Sequence, residues 1–76
     1  MDDILVVARL PKGTREFVRV AVRNDNGRPR VDLRICNSIT GAPGPKGLSL
    51  PPAMVPDLVR ALESAEAALL RPEAPA

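Results

Sequence analysis

The stretch FVRVAVRNDNGRPRVDLRIC, residues 17–36, decides the fold of this chain. Apolar residues alternate with other residues on both sides of the pair Asn26-Gly27. Strict alternation is typical of a half-buried β-strand, and Asn-Gly between two such runs is a strong signal for a β-hairpin. We therefore predict two antiparallel strands, at residues 17–23 and 28–36, joined by a tight turn.

The turn also predicts which residues face one another. With Asn26 and Gly27 in a two-residue type I′ turn, the apolar pairs are Val22 with Val31, Val20 with Leu33 and Val18 with Ile35. The pairs on the opposite side are Arg23 with Arg30 and Arg19 with Arg34. Like charges directly opposite each other are destabilising, so this side of the hairpin favours an anionic ligand. A four-residue loop would instead set Arg19 opposite Asp32 and relax part of the repulsion.

The rest of the chain predicts two more strands and a helix. Residues 4–10 read as a first strand. Both its odd-numbered and its even-numbered positions are apolar, so we expect one side of the strand to pack on the core and the other on a second subunit. Residues 37–46 are rich in Gly and Pro and read as a loop, and residues 47–50 as a short strand with Leu48 and Leu50 inward. A helix is expected from residue 52 or 56 to residue 70. Its apolar stripe is Val55, Leu58, Leu62, Ala65 and Leu69.

These elements predict an α+β fold in which four antiparallel strands precede one C-terminal helix. We expect the helix to cover the apolar side of the sheet and the arginine side to stay open. Residues 1–70 would form a single domain and residues 71–76 a flexible tail.

Composition supports a small, basic, oligomeric domain. The chain has 76 residues with one Phe and no Trp or Tyr, so its core is small and aliphatic. A core of this size gives a monomer only marginal stability, and association between copies is a common way to increase it. The net charge is only +2, but residues 9–34 contain seven Arg and one Lys against three carboxylates. Residues 53–76 contain two Arg against four carboxylates. This asymmetry favours an anionic partner.

Several classes of protein are disfavoured. A single cysteine, Cys36, excludes an internal disulfide, and without histidine there is no zinc-ligand set. No signal peptide or membrane span is apparent, so we expect a cytoplasmic protein. Nothing in the sequence supports catalysis or a bound cofactor, and we predict neither.

Three segments together carry a family resemblance: FVRVAVRNDNGRPRVDLRI, then PGPKGLSLPP, then the amphipathic helix. Over roughly residues 14–69 the chain resembles the positive-cofactor-four family of transcriptional coactivators. The resemblance implies a dimer of ββββα chains that binds single-stranded DNA. It places backbone-contacting basic groups at Arg23, Arg28, Arg34 and Lys46. At Asp25 and Asn37 this chain lacks the aromatic residues that the family stacks on bases.

The predicted function is non-specific binding of single-stranded DNA or RNA by a homodimer, through arginine–phosphate contacts, in a coactivator-like role. The candidate contact residues are Arg19, Arg23, Arg28, Arg30, Arg34 and Lys46. Asp32, a lone carboxylate among them, is expected to position Arg30 or Arg34. The alternatives are a protein-interaction module that recruits an acidic partner through the same arginines, and a purely structural dimer of the same fold. The arginines would be only a solvated sheet face in a structural dimer.

Overall fold

The computed structural model describes residues 3–73, in which four strands precede one helix. The elements are β1 (Ile4–Lys12), β2 (Glu16–Asp25), β3 (Arg28–Asn37), β4 (Pro43–Leu50), a 3-10 turn (Pro52–Met54) and α1 (Val55–Leu69). The strands form one antiparallel sheet in chain order. The predicted α+β class and the order of elements are confirmed. Residues 74–76 of the predicted tail lie outside the described residues.

The central hairpin has the predicted turn and register. Asn26 and Gly27 have φ angles of 52° and 78°. Positive φ at both central residues is the signature of a type I′ turn. All the predicted pairs are present, including Arg19 opposite Arg34, so the four-residue loop that would have paired Arg19 with Asp32 is wrong.

The alternation divides the sheet into two faces. The valine face carries Val18, Val20, Val22, Val31, Leu33, Ile35, Leu48 and Leu50. The arginine face carries Arg19 and Arg23 of β2, Arg28, Arg30 and Arg34 of β3, and the partners of these residues on the outer strands.

A bulge in β1 explains why that strand is apolar at both parities. Val6 pairs with Ala21 and Ala8 pairs with Val20, so Val7 is an extra residue without a partner on β2. One inserted residue reverses the alternation, because side chains in a strand point to opposite faces in turn. Arg9, beyond the bulge, therefore lies on the arginine face opposite Arg19.

The prediction of a loop over residues 37–46 is wrong, because β4 already begins at Pro43. Cys36 pairs with Pro43 and Arg34 with Gly47, so residues 44–46 bow out opposite Ile35. A proline lacks the N–H that a central strand needs, but an edge strand such as β4 tolerates it. The Gly-Pro-Lys segment is thus an irregular edge strand and the loop is only residues 38–42.

The prediction that the helix covers the valine face is also wrong. No residue of α1 is buried, and its leucines Leu62 and Leu69 are 60% and 74% exposed. Only the 3-10 turn makes more than marginal contact with the sheet, at β3. The radius of gyration is 14.7 Å, whereas a compact chain of this length has about 11 Å. The helix therefore projects from the sheet, and no described helix is long and apolar enough to cross a membrane.

The most buried positions lie on the face that was expected to be open. Ala21, Asp32 and Cys36 are essentially inaccessible, and all three belong to the arginine face. On the valine face only Leu50 is buried, and Leu48, expected to point inward, is mostly exposed. The long arginine side chains cover the middle of their own face, whereas no element of this chain covers the valines.

Candidate nucleic-acid interface

The arginines form two rows that run across the strands. In the first row Arg9, Arg19 and Arg34 are consecutive neighbours on β1, β2 and β3. In the second row Arg23 faces Arg30. The rows are four residues apart along each strand, which corresponds to about 13 Å at the rise of a β-strand.

A buried carboxylate lies between the rows. Asp32 faces Ala21 in the register and its side chain is 0% exposed. Arg34 Nη2 donates to Asp32 Oδ1 at 2.9 Å, and Arg19 Nη2 reaches Asp32 Oδ2 at 3.5 Å. The repulsion between Arg19 and Arg34 is therefore relieved by Asp32, which contacts both guanidinium groups and lies two residues before Arg34 on β3. No change of register is needed. The expected pairing of Asp32 with Arg34 is present.

The environment keeps Asp32 ionised. Burial raises the pKa of its carboxyl group, but the hydrogen bond and charge of Arg34 outweigh that effect, with help from the hydrogen bond of Arg19 and the charge of Arg23. The net result is a lowered pKa for Asp32. In return, the hydrogen bond and charge of Asp32 raise the pKa of Arg34.

Arg34 is held by β4 as well as by Asp32. Its Nη1 donates to the carbonyl of Pro45 at 3.3 Å. Its guanidinium crosses directly over Gly47, where a Cβ atom would come within 2.7 Å of Arg34 Cζ and 2.5 Å of the Leu33 carbonyl oxygen. Real Cβ atoms do not approach so closely, so the placement of Arg34 requires glycine at position 47.

Arg30 is held by β4 instead of by Asp32. Its Nε donates to Ser49 Oγ at 2.8 Å and its Nη2 to the Ser49 carbonyl at 3.0 Å. The guanidinium thus bridges two strands. The alternative expectation, that Asp32 positions Arg30, is wrong.

The two remaining candidates lie at opposite ends of the sheet. Arg28 is exposed at the hairpin tip, where it lines an open pocket of about 440 Å³ with Asp25, Asn26 and Arg30. Lys46 is exposed on the bowed segment of β4 and lines a different pocket, of about 370 Å³, beside the loop that follows β3. The structure therefore brings the five arginines to one face, whereas Lys46 lies on the bowed segment of the edge strand β4.

Arg9 is a member of the first row that the sequence reasoning missed. Its signal was hidden because the bulge at Val7 shifts the register of β1 against β2. The available signal in the sequence was the run of apolar residues at both parities of β1, which a bulge explains.

The charge balance of this face favours anions. Six arginines, at positions 9, 19, 23, 28, 30 and 34, share it with two carboxylates, Asp25 and Asp32. The side chains of Arg19 and Arg34 are only 16% and 20% exposed, so they contribute mainly positive potential. The exposed Arg9 and Arg28 offer more open guanidinium groups.

Comparison of the chain with models of protein families, with curated protein sequences and with solved structures gave no match in any of the three searches. The resemblance to the positive-cofactor-four family therefore stays a prediction from the motifs quoted above.

Proposed function

We propose that this protein binds single-stranded DNA or RNA without sequence preference, through contacts between its arginines and the phosphate backbone, in a coactivator-like role in transcription. The observation that carries the proposal is the pair of arginine rows on one sheet face, with the central carboxylate buried beneath the guanidinium groups. A ligand that approaches this face meets positive potential and not the hidden Asp32.

The fixed positions of the guanidinium groups support phosphate as the ligand. A guanidinium is planar and can donate two parallel hydrogen bonds to phosphate oxygens without losing its charge. Arg30 is already held by Ser49, so less of its side-chain entropy is lost when a phosphate binds, and Arg34, held by Pro45 and Asp32, adds positive potential. Contacts to phosphate carry no base information, which accords with binding that is independent of sequence.

A homodimer is part of the proposal. The valine face and α1 leave a series of large apolar side chains exposed: Leu5, Leu10, Leu48, Val59, Leu62 and Leu69. Exposed apolar side chains in this number indicate an interaction surface, and only three apolar residues of the described chain are buried. A second copy that covers the valine face and α1 leaves both arginine faces exposed for the nucleic acid.

The test is fluorescence anisotropy of a labelled single-stranded oligonucleotide across a salt series. We expect saturable binding whose affinity falls with salt. The double variant Arg9→Ala with Arg28→Ala should show a smaller salt slope, by about 0.7 for each phosphate that is no longer neutralised. Arg71→Ala is the matched control, since it removes the same charge from an exposed position off the sheet and should leave the slope unchanged. Absence of saturable binding at low salt would rule the proposal out.

One observation favours the second candidate, a protein-interaction module for an acidic partner. Asp25 lines the same open pocket as Arg28 and Arg30, and a protein surface can offer this pocket a hydrogen-bond donor as well as carboxylates, whereas phosphate groups offer acceptors only. Competition between the oligonucleotide and poly-glutamate of equal charge separates the two candidates. Displacement by poly-glutamate at equal charge concentration favours the protein partner, and displacement only at great excess favours nucleic acid.

A further inference from the structure

The only aromatic residue of the chain lies on the arginine face. Phe17 and Arg19 are two residues apart on β2, and alternate residues of a strand share one face of the sheet. The residues that face Phe17 across the strands are Pro11 on β1 and Cys36 on β3. An apolar position thus adjoins the first arginine row.

Part of the Phe17 surface is accessible. Phe17 is half-buried, whereas Cys36, directly opposite on β3, is 1% exposed. Covering Cys36 needs only an apolar side chain, which an aliphatic residue supplies as well, so packing alone does not account for an aromatic ring here. The proposed dimer covers the valine face and α1 and leaves the arginine face open, so Phe17 stays accessible in it.

Three arginines of the first row surround Phe17. Arg19 is two positions along β2, which corresponds to about 7 Å at the rise of a β-strand. Arg9 and Arg34 are diagonal neighbours of Phe17, since each lies two residues before the residue that faces it. Diagonal neighbours about 7–8 Å apart are within reach of aromatic and long side chains. A phosphate held by the exposed Arg9 therefore brings the base of the same nucleotide within reach of the Phe17 ring.

We infer that Phe17 is a platform on which one base of the bound strand stacks, while the first arginine row holds the phosphates beside it. Basic groups that follow the backbone and aromatic rings that stack on bases are the two contacts by which proteins bind single strands. Stacking tolerates every base, because each base has a π-face, so binding stays independent of sequence.

The inference rests on the proposed function, because the arginines must first hold the backbone. It adds the contact that distinguishes a nucleic acid from other polyanions, which offer no base. Since the chain has one Phe and no Trp or Tyr, each chain stacks one base and the proposed dimer stacks two.

The experiment compares two labelled oligonucleotides of equal length and charge, one of thymidines and one abasic, by fluorescence anisotropy. We expect the wild type to bind the thymidine strand about tenfold more tightly than the abasic strand, near the low end of the range for stacking one base. Phe17→Leu, which keeps an apolar side chain, should lose this difference. Its affinity for the abasic strand and its salt slope should be unchanged, because no phosphate contact is removed.

A second variant detects the stacking contact directly. Phe17→Trp keeps an aromatic ring and gives the chain its only tryptophan. We expect wild-type affinity and tryptophan fluorescence that is quenched by the thymidine strand but not by the abasic strand. Leu70→Trp is the matched control, since Leu70 is 86% exposed at the end of α1 and its replacement should keep its fluorescence when either strand binds.

The outcomes separate the stacking platform from the binding proposal. If both strands are bound and Phe17→Leu keeps the tenfold difference, or weakens both strands equally, the platform is wrong and binding stands. Unquenched fluorescence from Phe17→Trp with the thymidine strand bound also overturns the platform, and it decides the matter if Phe17→Leu does not fold. If the wild type binds neither strand at low salt, the platform and the proposed function both fail.

Discussion

At the scale of single residues, Asp32 sets the geometry of the arginine face. One buried carboxylate accepts from Arg34 and Arg19, which face each other across β2 and β3. Without it two guanidinium groups would lie side by side with no anion between them. The residue that relieves the repulsion between Arg19 and Arg34 is therefore buried and cannot contact a ligand.

We expect Asp32→Asn to lower the free energy of unfolding by about 2 kcal/mol at pH 7, less than the roughly 3–5 kcal/mol for a fully buried pair because both arginines keep some solvent contact. The pKa of Asp32 is lowered in the folded state, so its contribution is present above the unfolded pKa of about 3.9 and is lost as the pH falls through the folded pKa. Urea denaturation at fixed protein concentration measures the loss of stability at pH 7 and its dependence on pH.

The difference in stability between the wild type and Asp32→Asn should accordingly shrink as the pH is lowered below about 4. Asp57→Asn, which removes an exposed carboxylate paired with Arg60 on α1, is the control and should change stability little at any pH. A gap between the wild type and Asp32→Asn that stays constant down to strongly acidic pH would contradict the assigned role.

At the scale of elements, the joint between β3 and β4 positions Arg34. The bowed segment at residues 44–46 brings the Pro45 carbonyl to the guanidinium, and Gly47 leaves the space in which it lies. The irregular strand β4 thus positions Arg34, although its Gly-Pro composition resembles that of a loop.

Gly47→Ala should therefore displace β4 or Arg34, because the new Cβ atom would lie 2.5 Å from the Leu33 carbonyl oxygen. We expect a loss of about 1–3 kcal/mol in stability, the usual range for a steric clash against backbone, together with weaker oligonucleotide binding. Ser49→Ala is the comparison, since it removes one of the two acceptors of Arg30 on the same strand without adding an atom. Wild-type stability for Gly47→Ala would show that Arg34 is not packed over position 47.

At the scale of the whole molecule, the isolated chain leaves its apolar surfaces uncovered. The helix projects with Leu62 and Leu69 exposed, and the valine face has no covering layer within the described residues. A helix with a leucine stripe and a sheet with an open apolar face are complementary surfaces, and a two-fold dimer can bury both at once.

Sedimentation should therefore show twice the chain mass at micromolar concentration. Leu62→Asp places a charge in the leucine stripe and is expected to shift the protein to monomer and to lower its stability. Ser64→Asp adds the same charge about half a turn away on α1 and should leave the mass unchanged. A wild-type monomer under these conditions would refute the dimer, while binding to the arginine face could still be present.

The sequence by itself determined the hairpin and the sharing of one face by the arginines, and it limited the register of the hairpin to two alternatives. These follow from local rules, because alternation assigns the faces and an Asn-Gly turn admits few loop geometries. The order of the four strands and the helix was likewise readable. The packing of the helix could not be predicted, because burial depends on which surfaces meet in the folded chain. The extent of β4 could not be predicted either, because an edge strand tolerates Gly and Pro, which otherwise indicate a loop.

Only the tertiary structure decided how the arginines are arranged. Arg9 joined the first row through a bulge whose position the apolar residues of β1 do not specify, and Asp32 was buried because long side chains from neighbouring strands cover it. Arg30 was drawn to Ser49 of β4, a contact across the sheet. Residue types and periodicity assign a side chain to a face, but its partners depend on pairing between strands distant in sequence, and those partners set the charge that the surface presents.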